Sequence, residues 1–175
     1  VPEAGSGPSP LAALAPSSAA GPKLVGALAC GACHQGPAMG YQLSLWRMSP
    51  HAQAYAALAT PAALEIARKM GVREQPQLAA ACLKCHVTGG GPGAAVTKSY
   101  DLMEGVGCES CHGAGSEYVN ESVMRDRLGA RKAGLRMPSR EACLQCHANA
   151  HGKPFDWKSA SARIAHPTKP AATLA

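Results

Sequence analysis

A five-residue pattern, Cys-x-x-Cys-His, occurs four times in this chain, at residues 30–34, 82–86, 108–112 and 143–147. Two thiols separated by two residues fit on one helical turn, where they can form thioethers to the two vinyl groups of a porphyrin. The histidine that follows then lies under the iron as an axial ligand. Because this is the attachment signature of c-type haem, the sequence predicts four haem c groups.

The four motifs use every cysteine of the chain. We expect the haem groups to be bound by Cys30, Cys33, Cys82, Cys85, Cys108, Cys111, Cys143 and Cys146, and the irons by His34, His86, His112 and His147. Paired CxxC sequences can also build Cys₄ zinc sites, and a single CxxC can be a redox dithiol. Under either alternative, a histidine would have to follow the cysteine pair four times by coincidence, so we favour haem.

The remaining histidines are too few to complete every haem. Four irons present eight axial positions, whereas the chain has seven histidines, of which His51, His151 and His166 lie outside the motifs. At most three haems can therefore have two histidine ligands, and identical subunits would not change this count. The fourth iron takes one of the six methionines or another group, or stays open; the sequence singles out no methionine.

Each of the three additional histidines also has a simpler interpretation. His51 could be a surface residue near a helix start, His151 a helix C-terminal residue favoured by the dipole, and His166 a residue of a loose tail. His151 follows His147 by four residues, so on a helix the two would share one face. We therefore expect His151 to serve a different haem from the one that His147 holds.

Composition supports a cofactor-filled interior and a location outside the cytoplasm. Aromatic residues make up 4% of the chain, and large side chains normally supply most of a core. The net charge is +6, but no basic run with interleaved aromatics indicates nucleic-acid binding. No apolar segment is long enough to span a membrane. The N-terminus lacks signal-peptide features, and we expect a mature, secreted bacterial or archaeal protein, periplasmic or extracellular.

Three regions follow from composition: a Pro/Ala-rich arm at 1–29, a tetrahaem domain at 30–167 and a C-terminal tail at 168–175. We expect a mainly α fold, in which short helices and loops wrap around four closely stacked haems. Helices are predicted at 42–59, after Thr60 and Pro61, at 76–86, at 117–133, and from Ser139 through the fourth motif. The glycine-rich stretch 89–93 is a predicted loop.

Three segments resemble the cytochrome c-554 family of multihaem cytochromes, and together they span about 30–167. They are GVGCESCHGAGSEY at 105–118, the pattern of Trp46, Ser49, His51, Ala52 and Ala54, and a tail with FDW at 155–157 and IAHP at 164–167. The resemblance implies haems stacked in parallel and perpendicular pairs. It implies His51 and His166 as distal ligands, with His151 as a third.

The same resemblance bears on the missing ligand. The founding member of the family has three bis-histidine haems and one five-coordinate haem, which the second motif holds; that would make His86 a sole axial ligand here. Many relatives have a histidine where Tyr118 stands in this chain, which fits the loss of one ligand. Some extracellular cytochrome filaments are also similar to this family, but they normally use eight histidines per subunit.

The leading hypothesis is electron transfer through four haems between periplasmic or extracellular redox proteins, with a carrier more strongly indicated than a catalyst. Surface lysines and arginines would steer acidic partners. One alternative is a redox enzyme that acts on a small ligand, such as nitric oxide, at an open iron. Another is a subunit of a conductive filament or larger redox complex, with self-association through the N-terminal arm.

Overall fold

The computed structural model describes residues 21–167 as short α-helices joined by loops, which confirms the expected mainly α fold. The described residues form no strand, and Leu24 and Val96 form an isolated bridge. No helix within 21–167 has the length and apolar character needed to cross a membrane. The helices are α1 Ala27–His34, α2 Gln42–Arg47, α3 Ala54–Ala57, α4 Pro61–Lys69, α5 Ala80–His86, α6 Glu109–His112, α7 Glu121–Arg125, α8 Arg127–Lys132, α9 Arg140–His147 and α10 Trp157–Ile164.

Local capping chemistry starts two of the helices where the sequence predicts. The Thr60 hydroxyl accepts a hydrogen bond from the Ala63 amide at 3.3 Å, and Pro61 occupies the first helical position of α4. The Ser139 hydroxyl accepts from the Ala142 amide at 3.3 Å and starts α9. α9 carries the fourth motif, so a local signal positions one of the four haem-binding segments.

Two predicted helices are interrupted, and each break has a local cause. The segment predicted as one helix at 42–59 forms α2 and α3, because Pro50 disfavours helical backbone at the residue before it. The turns between α2 and α3 carry His51. The segment at 117–133 is divided into α7 and α8 at Asp126, whose carboxylate accepts from the Leu128 amide at 3.0 Å and caps α8.

Two further differences concern segment ends. The helix predicted at 76–86 is shorter in the structure, where α5 begins at Ala80. The glycine-rich segment after α5 is a loop, as expected, with a short 3₁₀ turn at its start. Gly91 has a φ of +97°, and a Cβ there would lie 2.9 Å from the Leu83 side chain, so glycine is required at this position.

The apolar core is small. Leu58, Leu83 and Val87 are buried together where α3 and α5 meet, and Tyr55 packs against them. The described residues therefore do not build the large apolar interior that a chain of this length usually has. This agrees with an interior completed by cofactors.

The last residues of the predicted N-terminal arm are packed against the domain. Leu24 exchanges backbone hydrogen bonds with Ala95 and Thr97, both at 2.9 Å, and Val25 and Ala27 are buried. Residues 1–20 of the arm and the predicted tail at 168–175 lie outside the described residues. The prediction of self-association through the arm lies there as well.

Two carboxylates hold the start of α1. Glu109, 4% exposed, accepts hydrogen bonds from the backbone amides of Val25, Gly26 and Gly115 at 2.7–3.1 Å. Glu104 accepts from the first two amides of α1, with the shorter contact at 2.6 Å. Negative charge is favourable at a helix N-terminus, where amides lack intrahelical partners. Because Glu109 lies inside the third motif, these contacts join the first motif to the third.

We expect Glu109→Ala to lower the free energy of unfolding by about 2–4 kcal/mol, because it leaves buried amides without an acceptor. Glu65→Ala is the matched control: Glu65 forms an exposed ion pair with Lys69, and its loss should change stability by less than about 0.5 kcal/mol. Denaturant titration of the holoproteins followed by circular dichroism measures both. Equal effects for the two variants would contradict the proposed anchoring.

Candidate haem sites

Each of the four motifs lies at the end of a short helix. α1, α5, α6 and α9 end at His34, His86, His112 and His147, so every motif histidine is the last residue of its helix. Both thiols of each motif come from the turn before that histidine. The structure thus gives all four motifs the helical geometry that haem attachment requires.

Three motif histidines have a second histidine beside them. The ring centres of His51 and His147 are 6.1 Å apart, those of His86 and His151 are 6.5 Å apart, and those of His112 and His166 are 6.0 Å apart. All three histidines outside the motifs are used, and each faces a different motif. The expectation that His151 serves a different motif from His147 agrees with this arrangement.

The separations fit two imidazoles on opposite sides of one iron. A metal–nitrogen bond of about 2 Å, with the ring centre roughly 1 Å behind the nitrogen, places two such ring centres about 6 Å apart. Aromatic pairs in direct contact span about 4.5–7 Å, so a single pair would not decide between the two interpretations. Three pairs, each joining one motif histidine to one other histidine, favour ligation. The donor set therefore fits haem.

Backbone carbonyls orient two of the motif histidines. Nδ1 of His86 lies 2.8 Å from the Ala54 carbonyl oxygen, and Nδ1 of His112 lies 2.9 Å from that of Arg136. An Nδ1–H that donates to a carbonyl leaves the Nε2 lone pair free for a metal. Burial lowers the pKa of His112 and favours this neutral form.

His51 is positioned by contacts with the segment just before the third motif. Its carbonyl accepts from the Val106 amide at 3.0 Å, and the Trp46 indole donates to the Val106 carbonyl at 2.9 Å. Gly105 approaches so closely that a Cβ would lie 2.7 Å from the His51 carbonyl oxygen. Two of the segments that carry the family resemblance therefore meet here. Burial, with a smaller effect from His147, lowers the pKa of His51.

The two histidines near the C-terminus are held differently. The Gln42 side-chain amide donates to the Pro167 carbonyl at 2.8 Å, which fixes the residue after His166 on α2. His151 does not share a helix face with His147, because α9 ends at His147 and His151 has a left-handed backbone with φ of +53°. The sequence carries no signal for this left-handed turn.

Phe155 supports the fourth motif. Its ring, from the chain's one phenylalanine, stacks on His147 with ring centres 4.7 Å apart and planes inclined by 14°. Phe155 belongs to the tail segment that carries the family resemblance. The stacking of Phe155 fixes the plane of the His147 imidazole, which faces His51.

Thiols of different motifs are neighbours. Interaction with the Cys108 thiol is the main cause of a raised pKa at Cys30, followed by burial. The pKa of Cys146 is raised to about 12, first by burial and then by Cys85. Burial and then Cys143 raise the pKa of Cys111. The Glu109 contacts likewise join the first motif to the third, and α9 contacts both α5 and α6; sequence reasoning missed this adjacency because the contacts are long-range.

A Cys₄ zinc site is not formed by these residues. Residues 21–167 contain all eight cysteines, and within that range no three His, Cys, Asp or Glu side chains gather as a metal-binding group. The cysteines are also free of disulfide bonds. The motif helices hold the thiols in pairs, each beside its own histidine.

His34 forms none of the three ring pairs in the described part of the chain, although it is near enough to His112 to contribute to the lowered pKa of that histidine. All seven histidines lie within that part, and the three pairs use the other six. The resemblance implies His86 as the sole axial ligand of one haem, and the structure places His151 beside it.

Comparison with known proteins agrees with the motifs and the fold. The family described as "Cytochrome c554 and c-prime" matches residues 29–113. Cytochrome c-554 of Nitrosomonas europaea is 28% identical over 149 residues, which cover 76% of this chain and 60% of that protein. The chain thus spans about three fifths of the length of this relative. The chain is thus similar to cytochrome c554 in its sequence.

A solved structure supports the same fold. The reduced state of cytochrome c554 from Nitrosomonas europaea aligns with a TM-score of 0.54 at 24% identity, covering 86% of this chain and 74% of that one. At that identity the similarity concerns the fold. With four attachment motifs in a chain similar to cytochrome c554, the cofactor is haem c, four per chain.

Intact-protein mass spectrometry of the denatured holoprotein should give a mass increase of four haems, because thioether bonds survive unfolding. Replacing both cysteines of the second motif (Cys82→Ser with Cys85→Ser) should remove one haem and leave three. Treatment with a zinc chelator should leave the mass of the wild-type protein unchanged. A chain that carries fewer than four haems, or one that loses mass on chelation, would contradict this cofactor assignment.

Proposed function

We propose that this cytochrome transfers electrons through its four haems between redox proteins of the periplasm. The three histidine pairs, with ring centres 6.0–6.5 Å apart, carry the proposal. Bound haem supplies a one-electron couple of ferric and ferrous iron. Periplasmic location is supported by the chemistry of thioether attachment, which takes place outside the cytoplasm.

The proposal assigns each site residue a role. The eight cysteines form the thioethers, and the four motif histidines are the first axial ligands. Three haems have two imidazole ligands, in the pairs His147 with His51, His86 with His151 and His112 with His166. Two imidazoles fill both axial positions of an iron, so these three sites suit electron exchange rather than substrate binding.

Rigid support of the ligands favours fast electron exchange, because little has to move when the charge on the iron changes. The carbonyls of Ala54 and Arg136 hold the rings of His86 and His112 through Nδ1. Phe155 restrains His147 by stacking. The protein thus keeps these imidazole planes in one orientation, as outer-shell partners of metal ligands commonly do.

Each of the four attachment sites is adjacent to at least one other. The Cys30 and Cys108 thiols are neighbours, as are those of Cys85 and Cys146. α9 also contacts both α5 and α6. No site is therefore isolated from the others, as an electron carrier with several centres requires.

Basic residues supply a surface for acidic redox partners. Arg131 and Arg136 line a cleft of about 360 Å³ beside Gly113, which directly follows the third motif. Their charge, within a net charge of +6, would attract acidic protein surfaces and also suits the carboxylates of haem propionates. On the basis of this positive charge, we propose acidic redox proteins as the partners.

We expect His51→Ala and His166→Ala each to convert one low-spin ferric haem to high spin, because each removes one imidazole from a pair. Quantified electron paramagnetic resonance of the oxidised holoproteins measures this. Met137→Ala is the control, since Met137 is 59% exposed and lies outside the histidine pairs. A spin distribution unchanged in both histidine variants would contradict the assigned pairs.

Electron storage is tested separately, by a spectroelectrochemical titration of the holoprotein. Wild type should take up four electrons per chain reversibly. His166→Met should raise the midpoint potential of one haem, because a thioether ligand favours ferrous iron more than an imidazole does. Uptake of fewer than four electrons, or an irreversible cycle, would count against a tetrahaem carrier.

A further inference from the structure

We propose that the carboxylates of Glu104 and Glu109 lower the reduction potentials of the haems attached at the first and third motifs, so that electrons move within the molecule from these two haems toward the second and fourth. The inference rests on the proposed function, since it takes the four haems as electron-transfer centres. It gives the two carboxylates a redox role in addition to holding the start of α1.

The Glu109 carboxylate is buried and carries a negative charge. Its Oε1 accepts hydrogen bonds from the amides of Val25 and Gly115 at 2.9 and 2.7 Å. Its Oε2 accepts from the amides of Val25 and Gly26 at 3.1 and 2.9 Å. Both oxygens act as acceptors, as they do in an ionised carboxylate. A Cβ at position 115 would lie 3.0 Å from Oε1, so the glycine there leaves room for this group.

Glu104 places a second negative charge beside the first. Its Oε2 accepts from the Ala27 amide at 2.6 Å, and its Oε1 accepts from the Leu28 amide at 3.2 Å. Gly26 lies between the two carboxylates: its amide donates to Glu109, and a Cβ at this position would lie 3.2 Å from Oε2 of Glu104. The two charges are therefore separated by about one residue of backbone.

No cationic side chain of the described residues neutralises these charges. Within residues 21–167 the ion pairs are two, each between residues four apart on an exposed helix surface, and neither includes Glu104 or Glu109. The donors to the two carboxylates are backbone amides, which carry dipoles and no net charge. A negative field therefore remains at this point of the structure.

This field acts at a haem-binding cysteine of each of the two motifs. Glu109 directly follows Cys108 of the third motif. The Cys30 thiol of the first motif lies 3.6 Å from the carbonyl oxygen of Gly26. The Cys108 thiol and burial raise the pKa of Cys30, and both carboxylates add to this rise. The Cys30 thiol lowers the pKa of Cys108, and both carboxylates oppose that change.

The sign of the effect on haem follows from the charge of the iron. Reduction from ferric to ferrous iron removes one unit of positive charge, so a negative charge nearby favours the ferric form and lowers the reduction potential. Water and salt screen buried and half-buried charges much less than exposed ones. The haems at the first and third motifs are therefore the ones whose potentials these carboxylates lower.

The charged side chains near the second and fourth motifs differ in exposure and in sign. Those that act on the thiols there are Glu74, Lys84 and Glu141, and all three are exposed. Because water screens them and their signs oppose each other, they shift the potentials less. α9, which ends in the fourth motif, contacts both α6 and α5. Electrons that leave the third motif thus have the fourth motif beside them.

Glu104→Gln tests the inference, because it removes the charge and keeps the size and one acceptor oxygen at a half-buried position. In a spectroelectrochemical titration of the holoprotein, two of the four midpoint potentials should rise and two should stay. Glu65→Gln is the matched control, because Glu65 is exposed and ion-paired, and it should move none. The electron paramagnetic resonance spectra of both variants should match that of wild type, which excludes a lost axial ligand as the cause.

Failure of the inference is distinct from failure of the proposed function. If Glu104→Gln raises no midpoint, or raises all four equally, the inference is overturned, while reversible uptake of four electrons still supports the carrier. If wild type takes up fewer than four electrons, the proposed function fails. Glu109→Gln should raise the same two midpoints by more than Glu104→Gln does, because Glu109 is buried; a smaller rise would contradict its assigned role.

Haem-deletion backgrounds identify the two affected haems. With Cys30→Ser and Cys33→Ser, which remove the first haem, Glu104→Gln should raise one of the three remaining midpoints. With Cys82→Ser and Cys85→Ser, which remove the second haem, it should still raise two of three. Two rises in the first background, or one in the second, would overturn the assignment. If the first background does not fold, the second still tests it.

Discussion

Two imidazoles on opposite sides of one iron must keep a fixed separation, and the positions of the helices in this protein satisfy that constraint three times. Each motif histidine closes a short helix, and for three of the four a facing histidine comes from a turn or loop elsewhere in the chain. Short helices suit this task, because each needs only one turn to present two thiols and an imidazole. Longer helices would separate the motifs too far for these histidine pairs to form.

The same constraint explains why the apolar core is small. Leu58, Leu83 and Val87 form its buried cluster, while much of the remaining cohesion comes from polar contacts between distant segments. The Glu109 carboxylate accepts hydrogen bonds from backbone amides just before α1, and the His51 carbonyl accepts one from the Val106 amide. Such contacts fix backbone position more precisely than apolar packing does, because hydrogen bonds are directional. That precision is what the ligand pairs require.

Under the proposed ligation, the four haem sites have unequal chemistry. Three paired sites suit electron exchange, while an iron with a single imidazole has a position for another molecule. His151, with its left-handed backbone, lies beside His86 of the second motif.

Several features were determined by the sequence alone, because they depend on residues close together in the chain. They include the four attachment motifs, the total of four haems, the shortage of one histidine, and the helix starts at Thr60 and Ser139. The break at Pro50 also has a local cause, because proline disfavours helical backbone at the residue before it. Only the tertiary structure decided which histidines meet, which motifs are neighbours, and that Glu109 anchors α1. These features join segments far apart in the chain, and no local spacing specifies such contacts.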